Sequence, residues 1–287
     1  MKKDFYTLVM RVTMLGLTLI FGYLIVASLI TQSIQRNTIK TYSSAINSNT
    51  QVDFEKTLND ASKYNSILYQ TKGMSIGNST EILSDENYNN LLNLNQDGIM
   101  GSIEIPKINV NLPIYHGVSD EVLQTGIGHL QESSLPVGGE NTRAVLTGHR
   151  GLPSSKLFDR IDELSIGDFF FVKVCDETLA YQVITIEEIL PTEVDKLNIV
   201  QEKDLISLVT CTPYGINTHR LIVTGERVEY NADAKANIKQ GLPSARATLL
   251  YILPRAYFIV LGIALCSKIY KKFSKKGEHK KDGSKKD

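Results

Sequence analysis

The sequence predicts a mainly β domain, a closed or nearly closed barrel, set between two apolar segments. Three observations carry this. From Ile99 to Tyr230 the 287-residue chain runs in short β-prone stretches with turn residues between them. Apolar runs flank that region on both sides. The charge is also divided: residues 12–267 carry 19 Lys and Arg against 27 Asp and Glu, near −8, while the last twenty residues hold nine Lys. An acidic middle excludes a nucleic-acid binder, whose footprint is a basic face on the folded domain.

Residues 1–31 form the first element. Leu8 to Ile30 is apolar over about 23 residues, enough to cross a hydrocarbon core of about 30 Å. A cleavable signal peptide has a shorter apolar core and ends in a small-x-small site. Here Leu29-Ile30 continue the run past Ala27-Ser28, so an uncleaved anchor is expected. Residues 32–72 lack Pro and repeat apolar residues at helical spacing (Ile34, Ile39, Tyr42, Ile46, then Phe54, Leu58, Ala61), predicting one or two connecting helices. Residues 73–98 are rich in Asn, Ser and Asp and are expected to be a linker or a lid.

Within 99–230 the expected strands are Met100–Ile105, Val110–Tyr115, Ala144–Gly148, Phe169–Val174, Leu179–Ile189, Ile206–Thr210 and Leu221–Val228. Short helices are expected at Asp120–Thr125, capped by Asp120, and at Ser155–Ile161. A linker over 231–247 leads to the second apolar segment, 248–270, which Pro254 and Arg255 interrupt. A Lys-rich tail, 271–287, follows. Basic residues before the first span and after the second predict two membrane segments, both termini cytoplasmic and the domain between them extracellular.

Two of the three cysteines, Cys175 and Cys211, then lie outside, where a disulfide between them is one possibility. The other is a reactive thiol. Cys211 ends a strand just before Pro213, His149 follows the apolar run Ala144–Leu146, and Arg220 opens the next strand. Cationic neighbours raise a thiolate fraction, a histidine can protonate a departing amine, and a guanidinium can hold an oxyanion. Such scattered residues alone make only a candidate pair. His116, His129 and His219 have no spaced partners, and no HExxH, CxxC or acidic loop pattern appears, so neither metal nor cofactor is predicted.

The runs LTGHRGLPSSKLF and SLVTCTPYGINTHRLIVTGERV closely resemble the two signature blocks of sortases, with Ser207-Leu208-Val209-Thr210-Cys211 in place of Thr-Leu-x-Thr-Cys. The stretch from Gly98 to Pro153 is similar to the class C, pilus-assembling branch. This resemblance implies an eight-stranded barrel, Ca²⁺-independent transpeptidation and His149, Cys211 and Arg220 as the catalytic residues. It implies attack by Cys211 on an LPxTG-like sorting signal borne by a pilin or surface protein. Arg220, with a backbone N–H near Thr210, would bind the oxyanion or substrate. The acceptor would be a pilin Lys, or a cell-wall amine in a housekeeping relative. Class C relatives carry an Asp-Pro-aromatic lid that this chain lacks. Asp85 and Tyr88 are the expected substitutes, Asp85 near Arg220 and Tyr88 near Cys211. A papain-like protease and a non-enzymatic scaffold held by a Cys175–Cys211 disulfide are the competing readings.

Overall fold

The computed structural model describes residues 2–48, 53–71, 83–152, 155–242, 249, 253 and 255–264. Eight strands close a barrel: β1 Ile99–Ile105, β2 Val110–His116, β3 Ile127–His129, β4 Thr142–Thr147, β5 Phe169–Val174, β6 Glu177–Ile189, β7 Asp204–Thr212 and β8 His219–Val228. Their order around the barrel is β1-β2-β3-β4-β7-β8-β6-β5. Two neighbours run parallel, β2 with β3 and β4 with β7, and the rest antiparallel.

Alternation of side chains explains why these residues make this barrel. One set (Ile103, Ile114, Leu146, Leu208, Leu221, Val223) is buried in the main core. The other face of β4, β6, β7 and β8 carries a second, small cluster: Val145, Ile189, Val209 and Ile222, with Leu130 and Leu197 against it. Gly225 is required inside, because a Cβ there would stand 2.5 Å from the Phe170 ring, which stacks on Tyr181.

The three-residue β3 was not among the expected strands. It reads Ile-Gly-His inside a glycine-containing turn and offers too short a stretch for an alternation signal. The expected helix at Ser155–Ile161 is corrected to a single 3₁₀ turn at Ile161–Glu163. Phe158 N instead donates to the His149 carbonyl at 3.1 Å, a tertiary bond that a helical turn would not make. At the helix α4, Asp120–Thr125, the cap is Ser119 rather than Asp120, with Ser119 Oγ accepting from Val122 N.

α1 runs Lys2–Ser48 and α2 Phe54–Thr71. The chain divides into two compact units, residues 1–26 with 244–287, and residues 27–243. In the first, Thr18 Oγ1 lies 3.0 Å from the Tyr257 hydroxyl, and Phe21 meets the Tyr257 ring edge-on. Among the described residues, one helix is long and apolar enough to cross a membrane, in α1. Of the second expected segment, the helix Arg255–Ala264 is described, which is shorter than a span; its remaining residues, Leu249 and Leu253 apart, lie outside the described residues, as does the tail.

In the second unit α1 docks on the barrel. The Tyr42 hydroxyl donates to the Met100 carbonyl at 3.1 Å and accepts from Cys175 N at 2.9 Å. α2 docks through Asn65, which exchanges two bonds with Leu135: Nδ2 to its carbonyl and Oδ1 from its N–H. The turn α5, Ala232–Ala236, follows the barrel.

Candidate active site

Cys211 and Arg220 are brought together by register. They are partners across the antiparallel β7–β8 pair, so their side chains share one face of the sheet. That face is the one carrying Val209 and Ile222, outside the barrel interior. On the other side of β7, β4 runs parallel with Thr147 opposite Val209. Gly148 extends the ladder, its N–H donating to the Val209 carbonyl at 3.1 Å. His149 follows directly, on the turn beyond the end of β4, so that turn is tied to β7 two residues before Cys211. All three are partly exposed.

Local sequence explains the turn that presents His149. A Cβ on Gly148 would stand 2.7 Å from Ile127 Cδ1 and 2.8 Å from the Phe158 ring, so only glycine lets β4 end against that ring. Gly151 takes a left-handed φ of 91° and its N–H donates to Asp159 Oδ1 at 2.5 Å. Between them Arg150 turns inward and is buried. It pairs with Asp162, reaches Thr212 Oγ1 at 3.5 Å and lies over the Tyr214 ring. Sequence reasoning passed over Arg150, which is adjacent to a catalytic candidate but contributes by packing the two site loops together.

The Thr210 side chain has a task apart from the backbone N–H expected to serve substrate near it. Its side chain is 1% exposed, and its Oγ1 donates to the Gly148 carbonyl at 2.7 Å. The hydroxyl therefore ties the His149 turn to the Cys211 strand. Arg220 is steadied by its own loop: Nη1 donates to the carbonyls of Asn217 at 3.2 Å and His219 at 3.1 Å.

The lid residues are corrected. Asp85 opens the short helix α3, Asp85–Asn90, and its Oδ1 accepts from Gln131 Nε2 at 2.6 Å. Tyr88 is 1% exposed. Its hydroxyl lies 2.9 Å from His129 Nδ1, reaches the His129 carbonyl at 3.1 Å and accepts from Gly117 N at 2.9 Å. Its ring stacks on His129 and meets His116 edge-on. The apolar ring and polar tip thus find a full set of partners in the domain, which outcompete a perch over Cys211. Residues 73–82 of the expected lid lie outside the described residues.

The other histidines and the second thiol have packing roles. His129 Nε2 lies 2.7 Å from the Ser134 carbonyl, and burial lowers its pKa to about 4, keeping the ring neutral. His116 Nδ1 lies 3.0 Å from the Gly98 carbonyl and Nε2 lies 2.8 Å from the Leu91 carbonyl. His219 meets Thr218 Oγ1 at 2.9 Å. Cys175 and Cys211 are both free thiols. Cys175 sits in the β5–β6 turn while Ile189, at the far end of β6, pairs with Arg220. Thirteen strand residues separate the two ends, roughly 40 Å along the strand and far beyond the reach of a disulfide. Burial pushes the Cys175 thiol up to about 12, so it carries no thiolate at neutral pH.

The sortase domain family matches residues 103–228. Sortase D of Bacillus subtilis is 33% identical over 131 residues, covering 45% of this chain and 63% of that protein. Sortase A of Streptococcus agalactiae is 30% identical over 131 residues, 45% and 52% respectively. The matched stretch thus spans less than two-thirds of either curated relative. Solved structures match over more of their length. Sortase C1 of Streptococcus agalactiae is 46% identical with a TM-score of 0.63, covering 68% of this chain and 100% of that one. Sortase C of Clostridium perfringens, solved with the C-terminal cell wall sorting motif, is 42% identical with a TM-score of 0.58, covering 68% and 99%.

Proposed function

We propose that this chain, which belongs to the sortase family, is a cysteine transpeptidase that joins proteins bearing LPxTG-like sorting signals to a pilin Lys amine. The observation that carries the reading is the flanking of a free, partly exposed Cys211 by Arg220 in register on β8 and the His149 turn on β4.

In this reading the Cys211 thiolate attacks the carbonyl carbon of the Thr–Gly bond. Negative charge develops on the carbonyl oxygen, where the Arg220 guanidinium stabilises it. The C–N bond breaks as His149 protonates the departing glycine amine, leaving a thioester on Cys211. His149, now neutral, takes a proton from the incoming ε-amine. An isopeptide bond forms, the C–S bond breaks and the thiolate returns. The side chains of Thr210 and Arg150 hold the two loops in place, leaving a backbone N–H near Thr210 to assist Arg220 at the oxyanion.

Pilin polymerisation is favoured by the sortase C structures that match 97–100% of their own length at 36–46% identity. A second reading, anchoring of surface proteins to a cell-wall amine, is supported by the curated sortase A relatives. The apolar part of α1 supports a membrane anchor with the barrel outside; two spans with both termini cytoplasmic remain part of this proposal. Incubation of the full chain with an LPxTG peptide and intact-mass measurement tests the chemistry: a Cys211 thioester is expected. Parallel supply of a pilin and of a peptidoglycan-like amine then separates the two acceptors, a high-molecular-weight ladder supporting polymerisation.

A further inference from the structure

The part of α1 just beyond the apolar run borders a cleft of one charge sign. The helix is seated on the barrel unit by Gln35, whose Nε2 donates to the Thr125 carbonyl at 2.8 Å and to Ser155 Oγ at 3.2 Å, and by buried Tyr42 and Ile46. Beside that docked face Gln32, Arg36 and Lys40 repeat every four residues, so they form one stripe along the helix. The stripe faces Asn109 and Asn111 at the start of β2, and Lys156 beside Ser155. Together these residues line a cleft of about 410 Å³. Three cations come from two separate parts of the chain, and the described lining residues include no carboxylate.

The position of the cleft adds a second argument. Ala27–Ile30 close the apolar run and belong to the same compact unit as the cleft, with Leu29 and Ile30 more than half exposed. At a helical rise of 1.5 Å per residue, Gln32 to Lys40 stand roughly 3–15 Å beyond Ile30. The polar layer of a bilayer extends roughly 5–8 Å beyond its hydrocarbon. Gln32, about 3 Å beyond Ile30, therefore lies at headgroup depth, and Arg36, at about 9 Å, stands at its outer edge, where a long side chain can reach back to a lipid phosphate.

We propose that this cleft binds the phosphodiester headgroup of an anionic phospholipid. Arg36 offers a planar fork matched to two phosphate oxygens, Lys40 and Lys156 add charge, and the side-chain amides of Gln32, Asn109 and Asn111 suit the glycerol hydroxyls of such a headgroup. The inference rests on the reading that α1 crosses a bilayer, and it is independent of the chemistry at Cys211.

The test uses the full chain in nanodiscs of phosphatidylcholine alone and of an equimolar mixture with phosphatidylglycerol. Native mass spectrometry after extraction counts retained lipid for the wild type and for Arg36→Gln/Lys40→Gln/Lys156→Gln. Wild type is expected to retain phosphatidylglycerol in preference to phosphatidylcholine, and the triple variant to lose affinity by a factor on the order of one hundred. Equal phosphatidylglycerol retention by both proteins, when both incorporate, overturns the proposal. Displacement of the lipid by soluble glycerol phosphate at comparable concentration assigns the cleft to a free phosphate and also overturns it. Failure of the wild type to incorporate into nanodiscs removes the bilayer-crossing premise, while peptide cleavage measured on the same samples reports separately on the transpeptidase reading.

Discussion

Cys211 and Arg220 stand directly opposite each other across β7 and β8, the first near the end of one strand and the second near the start of the next. The pairing places a guanidinium beside the thiol by strand register alone, so any change in β7–β8 pairing by one residue would turn one of them to the other face.

Cys211→Ala is expected to abolish thioester formation and transfer, a fall of about 10⁴-fold or more. Cys175→Ala, altering a buried thiol at the opposite end of β6, is expected to retain transfer. Intact-mass analysis with a sorting peptide checks both, and an adduct on Cys211→Ala would remove the nucleophile assignment.

Arg220→Lys should lower kcat/KM about 10²-fold, since a point charge cannot reproduce a fork already held by two loop carbonyls. Turnover close to wild type would leave Arg220 a loop-packing residue.

Thr210→Val deletes the hydroxyl that bonds the Gly148 carbonyl while keeping the side-chain shape. Stability should fall by about 1–2 kcal/mol. Turnover should fall by about tenfold, as the His149 turn loosens. Thr210→Ser, which keeps the donor, should restore most of the rate. A loss of Tm with an unchanged kcat would show that the bond serves the fold only.

Tyr88→Phe separates an anchor from a lid. Removing the hydroxyl leaves Gly117 N and His129 Nδ1 without it, at a cost of about 1–3 kcal/mol. Alkylation of Cys211 should proceed at the wild-type rate. Faster labelling would restore the lid reading that the structure corrects.

Acid should destabilise the domain through His129. Its pKa is lowered from 6.5 to about 4 by burial, so the unfolded chain gains a proton that the folded chain refuses as pH falls between those values. The contribution is fully present above pH ~6.5 and is lost as pH falls through ~4, roughly 3 kcal/mol in all. Denaturant midpoints across that range measure it. A flat profile would mean that His129 protonates in place.

Much of this was legible in the chain. The β-prone apolar run Phe169–Val174 and the strand-then-Pro ending of Cys211 carry their own local signals, and the two signature blocks carry the site residues. What escaped were facts set by distant partners. Tyr88 meets His129 across 41 residues, and nothing near Leu83–Leu91 announces a socket built from β2 and β3. β3 exists because β2 and β4 hold it from either side, not because Ile-Gly-His favours a strand. Arg150 takes its role from Asp162, a partner that the fold brings to it and no local pattern marks.

The Thr210–Gly148 bond spans 62 residues, as does the β4–β7 ladder that it completes. Parallel pairing over that separation must close a long loop before any contact rewards it, and such pairings form slowly. β7 and β8, by contrast, are joined by a six-residue connection and pair early and locally. The folding chain is therefore expected to bring Cys211 beside Arg220 before the His149 turn docks. Transfer activity becomes a clock for the final closure of the barrel: in refolding, a thiol already flanked by its guanidinium should precede the first turnover by the time that closure takes.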